Sequence, residues 1–433
     1  MKRYLYALLA RYIRYFLPPG ARVVEVSPAS PLLRDHLAPR DITFFDPHAD
    51  GPPDESWARL ASLEPERIIL NGCLHYERNI QDLLERLRGA SPPSARLVIT
   101  YYSSVWKPLF RLASRLGLST KGPERNWLAP SDVLNLLRLA GWQAVSESPR
   151  VLLPVRVPVL SDLVNRWLAP IPPFSWFAMV RIVVAEPTLV ASADRPSVSV
   201  VIPARNERGN IESAIMRTPA MGPDDELIFV EGHSADGTWE EIEAAAARHP
   251  ERRIVCLRQT GRGKGDAVRA GFAAARHEVL MILDADLTVP PEELPRFYRA
   301  LTGGVGDLIN GSRLVYPMEQ RAMRFANMVG NKFFAAAFSF LLGQPLKDTL
   351  CGTKVLRRSA YEAIARDRLY FGDFDPFGDF DLLFGASRQA MRIVELPIRY
   401  QERTYGDTNI RRWTHGWLLL RMTVFAARRI KFL

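Results

Sequence analysis

Glu278-Val279-Leu280-Met281-Ile282-Leu283-Asp284-Ala285-Asp286 is the stretch on which the fold turns. An uninterrupted apolar run of strand length, closing on carboxylates and followed by Pro290-Pro291, reads as a strand buried on both faces. The same pattern recurs on either side of it, in VSVVIPA (198–204), ELIFVEG (226–232), RIVCLRQ (253–259) and DLINGSR (307–313). Helical runs such as NIESAIMRT and TWEEIEAAAARH separate these strands. Strands alternating with helices imply a mainly parallel sheet covered on both sides. Further on come a helix from about Glu319 to Leu342, a strand in TKVLRR (353–358) and the segment MRIVELPIRYQER (391–403).

Upstream, TLVASADRPS (188–197) loses all periodicity and reads as a linker. Before it a second series runs through ARVVEVS (21–27), DITFFD (41–46), RIILNG (67–72) and RLVITYY (96–102). Helical runs at 79–89 and 131–142 and a late strand in 176–187 complete that half, which opens with an amphipathic helix ending at Pro18-Pro19-Gly20. The fold class is therefore α/β, with two doubly wound αβα domains at 1–187 and 198–433. A length of 433 residues accommodates both.

A hydrophobic share of 47% with 24% charged residues excludes a disordered chain. Cys73, Cys256 and Cys351 are too far apart for a disulfide framework or a cysteine-rich metal module. No window approaches the length of a charge-free apolar span, and the first residues lack a signal cleavage site, so neither a spanning helix nor a leader is expected. The formal net charge of +10 gathers at the ends, in Lys2, Arg3, Arg11, Arg14 and Arg22 and in Arg411, Arg412, Arg421, Arg428, Arg429 and Lys431. Such ends suit anionic lipid or nucleic acid, and charge alone does not choose.

Four punctuated segments lie at strand ends in the second series, where open parallel sheets bind ligands. They are Pro203–Glu207, Glu231–Thr238, the GRGKGDAVRAG stretch carrying Arg262 and Lys264, and Asp284-Ala285-Asp286. Two carboxylates ending a buried run need a cationic partner, and alternation along an extended chain would aim them the same way. A hard divalent cation sharing phosphate oxygens meets that need, against the alternative of solvated turn aspartates. GRGKG permits close backbone approach to an anion at a helix start but lacks Walker A spacing. Asp236 or Thr238 can equally be a helix cap.

Taken in order, VSVVIPARNE, VEGHSADGT, GRGKGDAVRAGF, DADL, GSR and PIRYQERTYGDTN resemble the glycosyltransferase family 2 enzymes of GT-A fold, in particular the dolichyl- or polyprenyl-phosphate sugar synthases, over about 198–412. The resemblance implies nucleotide contacts at Pro203, Arg205, Glu207, Glu231 and Asp284, with Lys264 beside the phosphates. It implies Asp286 as ligand to Mg²⁺ or Mn²⁺, with Thr288 where relatives place a metal-binding Gln. Arg313 and Arg403 would meet donor or acceptor phosphates. Asp379 and Asp381 are general-base candidates, or else they cap a helix or orient Arg403. The lysine of the relatives' G-x-S-K is absent from Gly406-Asp407-Thr408-Asn409, so Arg411 or Arg412 would substitute. The implied reaction is inverting transfer from a nucleoside-diphosphate sugar to a polyprenyl phosphate. The alternatives are a hydroxyl acceptor and a noncatalytic binding scaffold.

Residues 321–346 and 413–433 are apolar, aromatic and interrupted by Arg and Lys. They suit a peripheral sill on the cytoplasmic side of the membrane, which gives the charge a purpose without nucleic acid; burial in the core competes for 326–342 and a homodimer contact for the last helix. The first half, over roughly 20–187, resembles a class I S-adenosylmethionine-dependent methyltransferase, with Glu25 and Asp46 as the cofactor-site candidates. Its loop Ser27-Pro28-Ala29-Ser30-Pro31 has none of the expected glycines, and its prolines remove N–H donors. A degenerate, noncatalytic scaffold domain that binds the cofactor poorly is expected, against the alternative of a working methyltransferase.

Overall fold

The computed structural model describes the chain apart from residues 1, 29, 39, 48–52, 116–125, 190, 192–193, 316–324, 373–377, 404 and 406–411. Side chains 53–54, 113–114, 325–329 and 412–415 are likewise outside the described set. Two compact units emerge. The first comprises Met1–Thr188 with Arg388–Ala390 and Ala427–Leu433, and the second Leu189–Ser387 with Met391–Ala426. Two short pieces of the C-terminal half thus belong to the first unit.

The first unit is built on six strands: β1 (Val23–Val26), β2 (Ile42–Phe45), β3 (Arg67–Asn71), β4 (Arg96–Tyr102), β5 (Trp142–Arg150) and β6 (Val180–Pro187), in the order β2-β1-β3-β4-β6-β5. The first four are parallel, and β6 runs antiparallel to both β4 and β5. Every residue of β1 and β3 is buried, as continuous apolar runs require. Two expectations change here. Residues 174–177 form a 3₁₀ turn before β6, and β5 escapes the sequence pattern because Ser146, Glu147, Ser148 and Pro149 interrupt it at the sheet edge. The opening helix Lys2–Ile13 buries Leu5, Leu8, Leu9, Tyr12 and Ile13.

The second unit carries β7 (Val198–Ala204), β8 (Glu226–Glu231), β9 (Arg253–Arg258), β10 (Val279–Ile282), β11 (Leu308–Ser312), β12 (Lys354–Arg357) and β13 (Ile393–Pro397), in the order β13-β11-β12-β10-β7-β8-β9. Only β12 runs antiparallel to its neighbours. The chain winds from β7 outward through β8 and β9, then returns to place β10 on the other side of β7. That reversal makes the β7/β10 boundary a topological switch point, the place where such sheets hold ligands.

The helix Phe325–Leu342 is a core element over its described side chains: Phe334, Ala335, Phe338, Leu341 and Leu342 are buried, and Phe338 packs on Phe380 and Phe384. Arg321, Arg324 and the Asn327 side chain lie outside the described residues. In the helix Arg412–Ile430, Trp417 and Val424 are exposed, but Lys431 just beyond it is buried in the first unit. Burial, with the Arg150 charge adding to it, pulls the Lys431 amine down to about 7. That lysine is not part of a solvent-facing basic end.

Candidate active site

At the switch point, three loops are tied together by charge. Asp284 and Asp286 follow β10 in a tight turn rather than in extended chain: the Leu287 N–H donates to the Asp284 carbonyl at 3.1 Å, and Leu287 adopts a φ of 52°. A left-handed leucine costs on the order of 1–3 kcal/mol and marks a turn over-determined by its surroundings. The alternation expected to aim both carboxylates one way therefore does not operate. Asp284 pairs with Lys264 at 2.5 Å, whereas Asp286 turns to Arg403 at 2.7 Å.

Arg403 spans the switch point. One terminal nitrogen holds Asp286 Oδ2 and the other donates to Glu207 Oε1, also at 2.7 Å. Glu207 accepts in addition from the Asn210 amide, and its own N–H donates to Thr238 Oγ1. Burial pushes the Glu207 carboxyl up, and Arg403 and Asn210 pull it back. Thr288 donates through Oγ1 to Asp286 Oδ1 at 2.8 Å, so this residue positions the aspartate.

Lys264 opens the helix Lys264–Ala274, behind Gly263. Gln259 braces the loop by donating to the Gly263 carbonyl and to Asp266, which also accepts the Gly261 N–H. Burial alone would lower the Lys264 amine. Asp284 and Asp379 outweigh it and raise the amine well above its usual range. Burial likewise works against an ionised Asp284, but Lys264, then Lys354 and Arg313, hold its carboxyl low.

Two further pairs complete the cluster, and the sequence reading missed one member of each. Arg313, after β11, forms a fork on fully buried Asp348, with Nε at 2.6 Å and Nη2 at 2.8 Å, while Asn331 donates to the same carboxylate at 3.0 Å. Despite burial, Arg313 and Asn331 bring the Asp348 carboxyl down to about 2. Lys354, fully buried on β12, donates to Asp379 at 2.6 Å. Asp381 accepts from Arg368 at 2.8 Å. The expected anchoring of Arg403 thus falls to Glu207 and Asp286, and the general-base candidates are engaged by cations of their own.

The remaining second-unit candidates are spread out. Glu231, buried at the end of β8, accepts the Ser234 N–H at 2.5 Å, and Pro203 is half-buried at the end of β7. Arg205 and Arg262 are exposed. Asp236 caps its loop through Thr238 while accepting the Arg208 N–H and the Tyr405 hydroxyl. Gly406–Asn409 and Arg411 fall outside the described residues, as does the Arg412 side chain.

Asp284 and Asp286 carry the carboxylate oxygens that a hard divalent cation prefers, and in this structure those oxygens are held by Lys264 and Arg403. Gly352 keeps room beside the first pair: a Cβ there would lie 2.1 Å from both Asp284 Oδ2 and Lys264 Nζ. Among the described residues no three metal-ligating side chains converge.

In the first unit, Glu25 is wholly buried on β1 with neither carboxylate oxygen hydrogen-bonded. Burial drives its carboxyl up to about 7, and Asn71 and Arg34 oppose the rise only in part. Ser27 follows at a φ of 45° and its N–H donates to the Phe45 carbonyl; Asp46 is half-buried beyond β2. His75 is structural, accepting the Tyr102 N–H at Nε2 and donating from Nδ1 to the Asn126 carbonyl.

Comparison with known proteins bears on the second unit. The chain is 28% identical over 220 residues to the dolichol-phosphate mannosyltransferase of Pyrococcus furiosus, covering 49% of this chain and 59% of that protein. With the undecaprenyl-phosphate 4-deoxy-4-formamido-L-arabinose transferase of Edwardsiella ictaluri it shares 30% over 217 residues, 49% and 62% of the two lengths. This chain thus spans about 60% of the length of those two relatives. It is 32% identical to the polyprenol monophosphomannose synthase of Mycolicibacterium smegmatis over 48% of this chain and 78% of that one. A structure of glucosyl-3-phosphoglycerate synthase from Mycobacterium tuberculosis with Mn²⁺, uridine diphosphate and phosphoglyceric acid aligns over 54% of this chain and 78% of that chain, at 22% identity and a TM-score of 0.40. The profile of Glycosyl transferase family 2 matches residues 199–365, the part of the second unit that holds Glu207, Lys264, Asp284, Asp286, Arg313, Asp348 and Lys354. On these matches, the chain belongs to glycosyl transferase family 2.

Proposed function

We propose that this chain transfers a sugar from a nucleoside diphosphate to the phosphate of a polyprenyl phosphate, with inversion at the anomeric carbon. The observation that carries the reading is the set of cations around the switch point, Lys264, Arg403, Arg313 and Lys354, each held in place by an acid. Fixed cations of this kind match phosphate oxygens and stabilise charge that moves onto a departing diphosphate. The relatives named as polyprenyl-phosphate sugar transferases support the same acceptor class.

In this reading an acceptor phosphate oxygen attacks the anomeric carbon, and the bond to the diphosphate breaks with its electron pair leaving on the diphosphate. A phosphate monoester has its second pKa near about 6 and reaches the site ionised, so it needs no general base. Asp379 and Asp381, engaged by Lys354 and Arg368, agree with that economy. A hydroxyl acceptor would demand a base. Asp284 and Asp286 would hold Mg²⁺ or Mn²⁺, which supplies positive charge at the leaving group. Lys264 orients the donor phosphates, and Arg403 keeps the loops after β7 and β10 in register with each other.

The first unit we read as a methyltransferase-like domain without cofactor, serving the transferase as a scaffold. We place the protein at the cytoplasmic face of the membrane, peripherally. Among the described residues no helix is long and apolar enough to cross a bilayer.

A panel of nucleoside-diphosphate sugars with a short polyprenyl phosphate tests the reaction, followed by Asp286→Asn. Loss of one such electrostatic group lowers turnover by about 10²- to 10³-fold. Turnover that the substitution leaves intact would remove Asp286 from the chemistry.

A further inference from the structure

The connection from β5 to β6 has its polarity inside out. Across the helical turns from Leu160 to Leu168, Ser161 and Asn165 face inward, one turn apart. Asn165 accepts the N–H groups of Leu152 and Leu153 at 2.9 Å each and donates to the Leu153 carbonyl. Its own carbonyl accepts the Tyr12 hydroxyl. Ser161 accepts the Val157 N–H and donates to the Val155 carbonyl. The Tyr12 bond ties the polar side of the segment to the opening helix, and the others close the connection on itself.

The outward side is apolar. Val159 is 80% exposed, Leu160 and Leu163 51% each, and the strip continues through Trp167, Ile171 and Phe174 to Trp176 at 63% and Phe177 at 58%. A surface helix of a soluble protein shows the opposite arrangement, with its apolar stripe toward the core. The strip has a neighbour. Tyr102 pairs with Val180 at the same sheet end, and the Trp106 indole N–H donates to the Phe177 carbonyl at 2.8 Å. The helix Lys107–Arg115 starts there, and Val105, Leu109 and Leu112 are exposed at helical spacing.

Charge selects the occupant. Lys107, Arg111, Arg115, Arg156 and Arg166 are interspersed with these apolar residues, against the single acid Asp162. Among the described residues Lys107, Arg111, Arg115 and Arg156 make no ion pair, and Arg166 lies over the Trp167 ring. A second copy of the chain, docking face to face, would bring these cations against themselves. An anionic lipid surface neutralises them and accepts Trp, Phe and Leu below its headgroups.

We propose that this face of the first unit, residues 155–177 with the outer side of 105–115, seats in the headgroup boundary of an anionic lipid bilayer. The proposal needs no transferase chemistry, so its test contains no sugar donor and its failure leaves the transfer reading standing. The full chain is sedimented with vesicles of phosphatidylcholine, with and without phosphatidylglycerol. Binding is expected to the anionic vesicles and to weaken in high salt. The double variant Trp176→Ser/Phe177→Ser should bind at least about tenfold less, since the apolar area that enters the lipid is lost. Both positions are solvent-exposed, so thermal unfolding should stay as in the parent. Should that variant misfold, Leu109→Ser/Leu112→Ser takes its place in the same assay. Three outcomes overturn the proposal: no binding of the full chain to anionic vesicles, variants that bind like the parent, or variants that abolish only a homodimer.

Discussion

Each unit of this chain has a switch point, and the two are furnished in opposite ways. Between β7 and β10, carboxylates from both loops are bridged by one guanidinium, with Lys264–Asp284, Arg313–Asp348 and Lys354–Asp379 around them. Between β1 and β3, the corresponding place has Glu25 buried with both oxygens unbonded, beside Asn71, whose side-chain oxygen accepts from Thr100. One site holds its buried charge in matched pairs. The other keeps a lone carboxyl that burial holds near neutrality at about 7. The same winding of strands and helices thus carries two different arrangements of charge at its reversal.

The comparison breaks most severely at Asp348. Removing one partner from a buried ion pair leaves the other uncompensated, and Asp348→Ala should destabilise the protein by about 3–5 kcal/mol, read as a fall in the urea midpoint. The sign with pH follows from its depressed carboxyl, low at about 2 against an ordinary 3.8. The pair's contribution is fully present above 3.8 and is lost as pH falls toward about 2. Asp348→Asn should flatten that acid limb. An unchanged limb would show that Arg313 finds its stabilisation elsewhere.

Asp348 also shows where sequence reasoning stops. The strands of both sheets are legible because burial on two faces demands unbroken apolar runs, as in VSVVI and VLMI. The carboxylates at their ends are legible because charge closing such a run has to be explained. Asp348 and Lys354 sit in KDTLCGTKV, where nothing local reports that each will be sealed against a partner 35 or 25 residues away. Their partners are set by β12 inserting antiparallel between β10 and β11, a pairing no local pattern encodes. The edge strand β5 is hidden for the converse reason, since a half-solvated strand needs no apolar run. Likewise, among the described residues many exposed apolar side chains fall in a proline-rich connection, where no regular period announces them.

A smaller effect is expected at Glu25. Its carboxyl is raised from an ordinary 4.5 to about 7, so within that window the unfolded chain gives up the proton while the folded one keeps it. The contribution of this group is therefore greatest at or below 4.5 and declines as pH rises toward about 7, by up to about 3 kcal/mol. Glu25→Gln should remove that decline and leave the protein more stable than the parent on the alkaline side, as followed by urea unfolding across the window. A parent and variant with parallel pH profiles would mean that a counter-charge reaches Glu25 after all, and the contrast between the two switch points would weaken.

The smallest expected signal is the heat of S-adenosylmethionine titrated into the full chain. A ligand bound at low micromolar Kd gains about −8 kcal/mol, which requires both backbone donors and a closely approached loop. Here the loop after β1 leads through Pro28, Ser30 and Pro31, and the Ser27 N–H is already committed to the Phe45 carbonyl at 2.8 Å. A sulfonium ligand would still find one attraction, the Glu25 carboxyl, but that group is largely protonated below about 7 and gains charge only above it. The titration is therefore best run on both sides of that value. No heat at either pH is the expected result. Micromolar binding that strengthens as Glu25 ionises would make the first switch point a working cofactor site, completed by its ligand rather than by its own side chains.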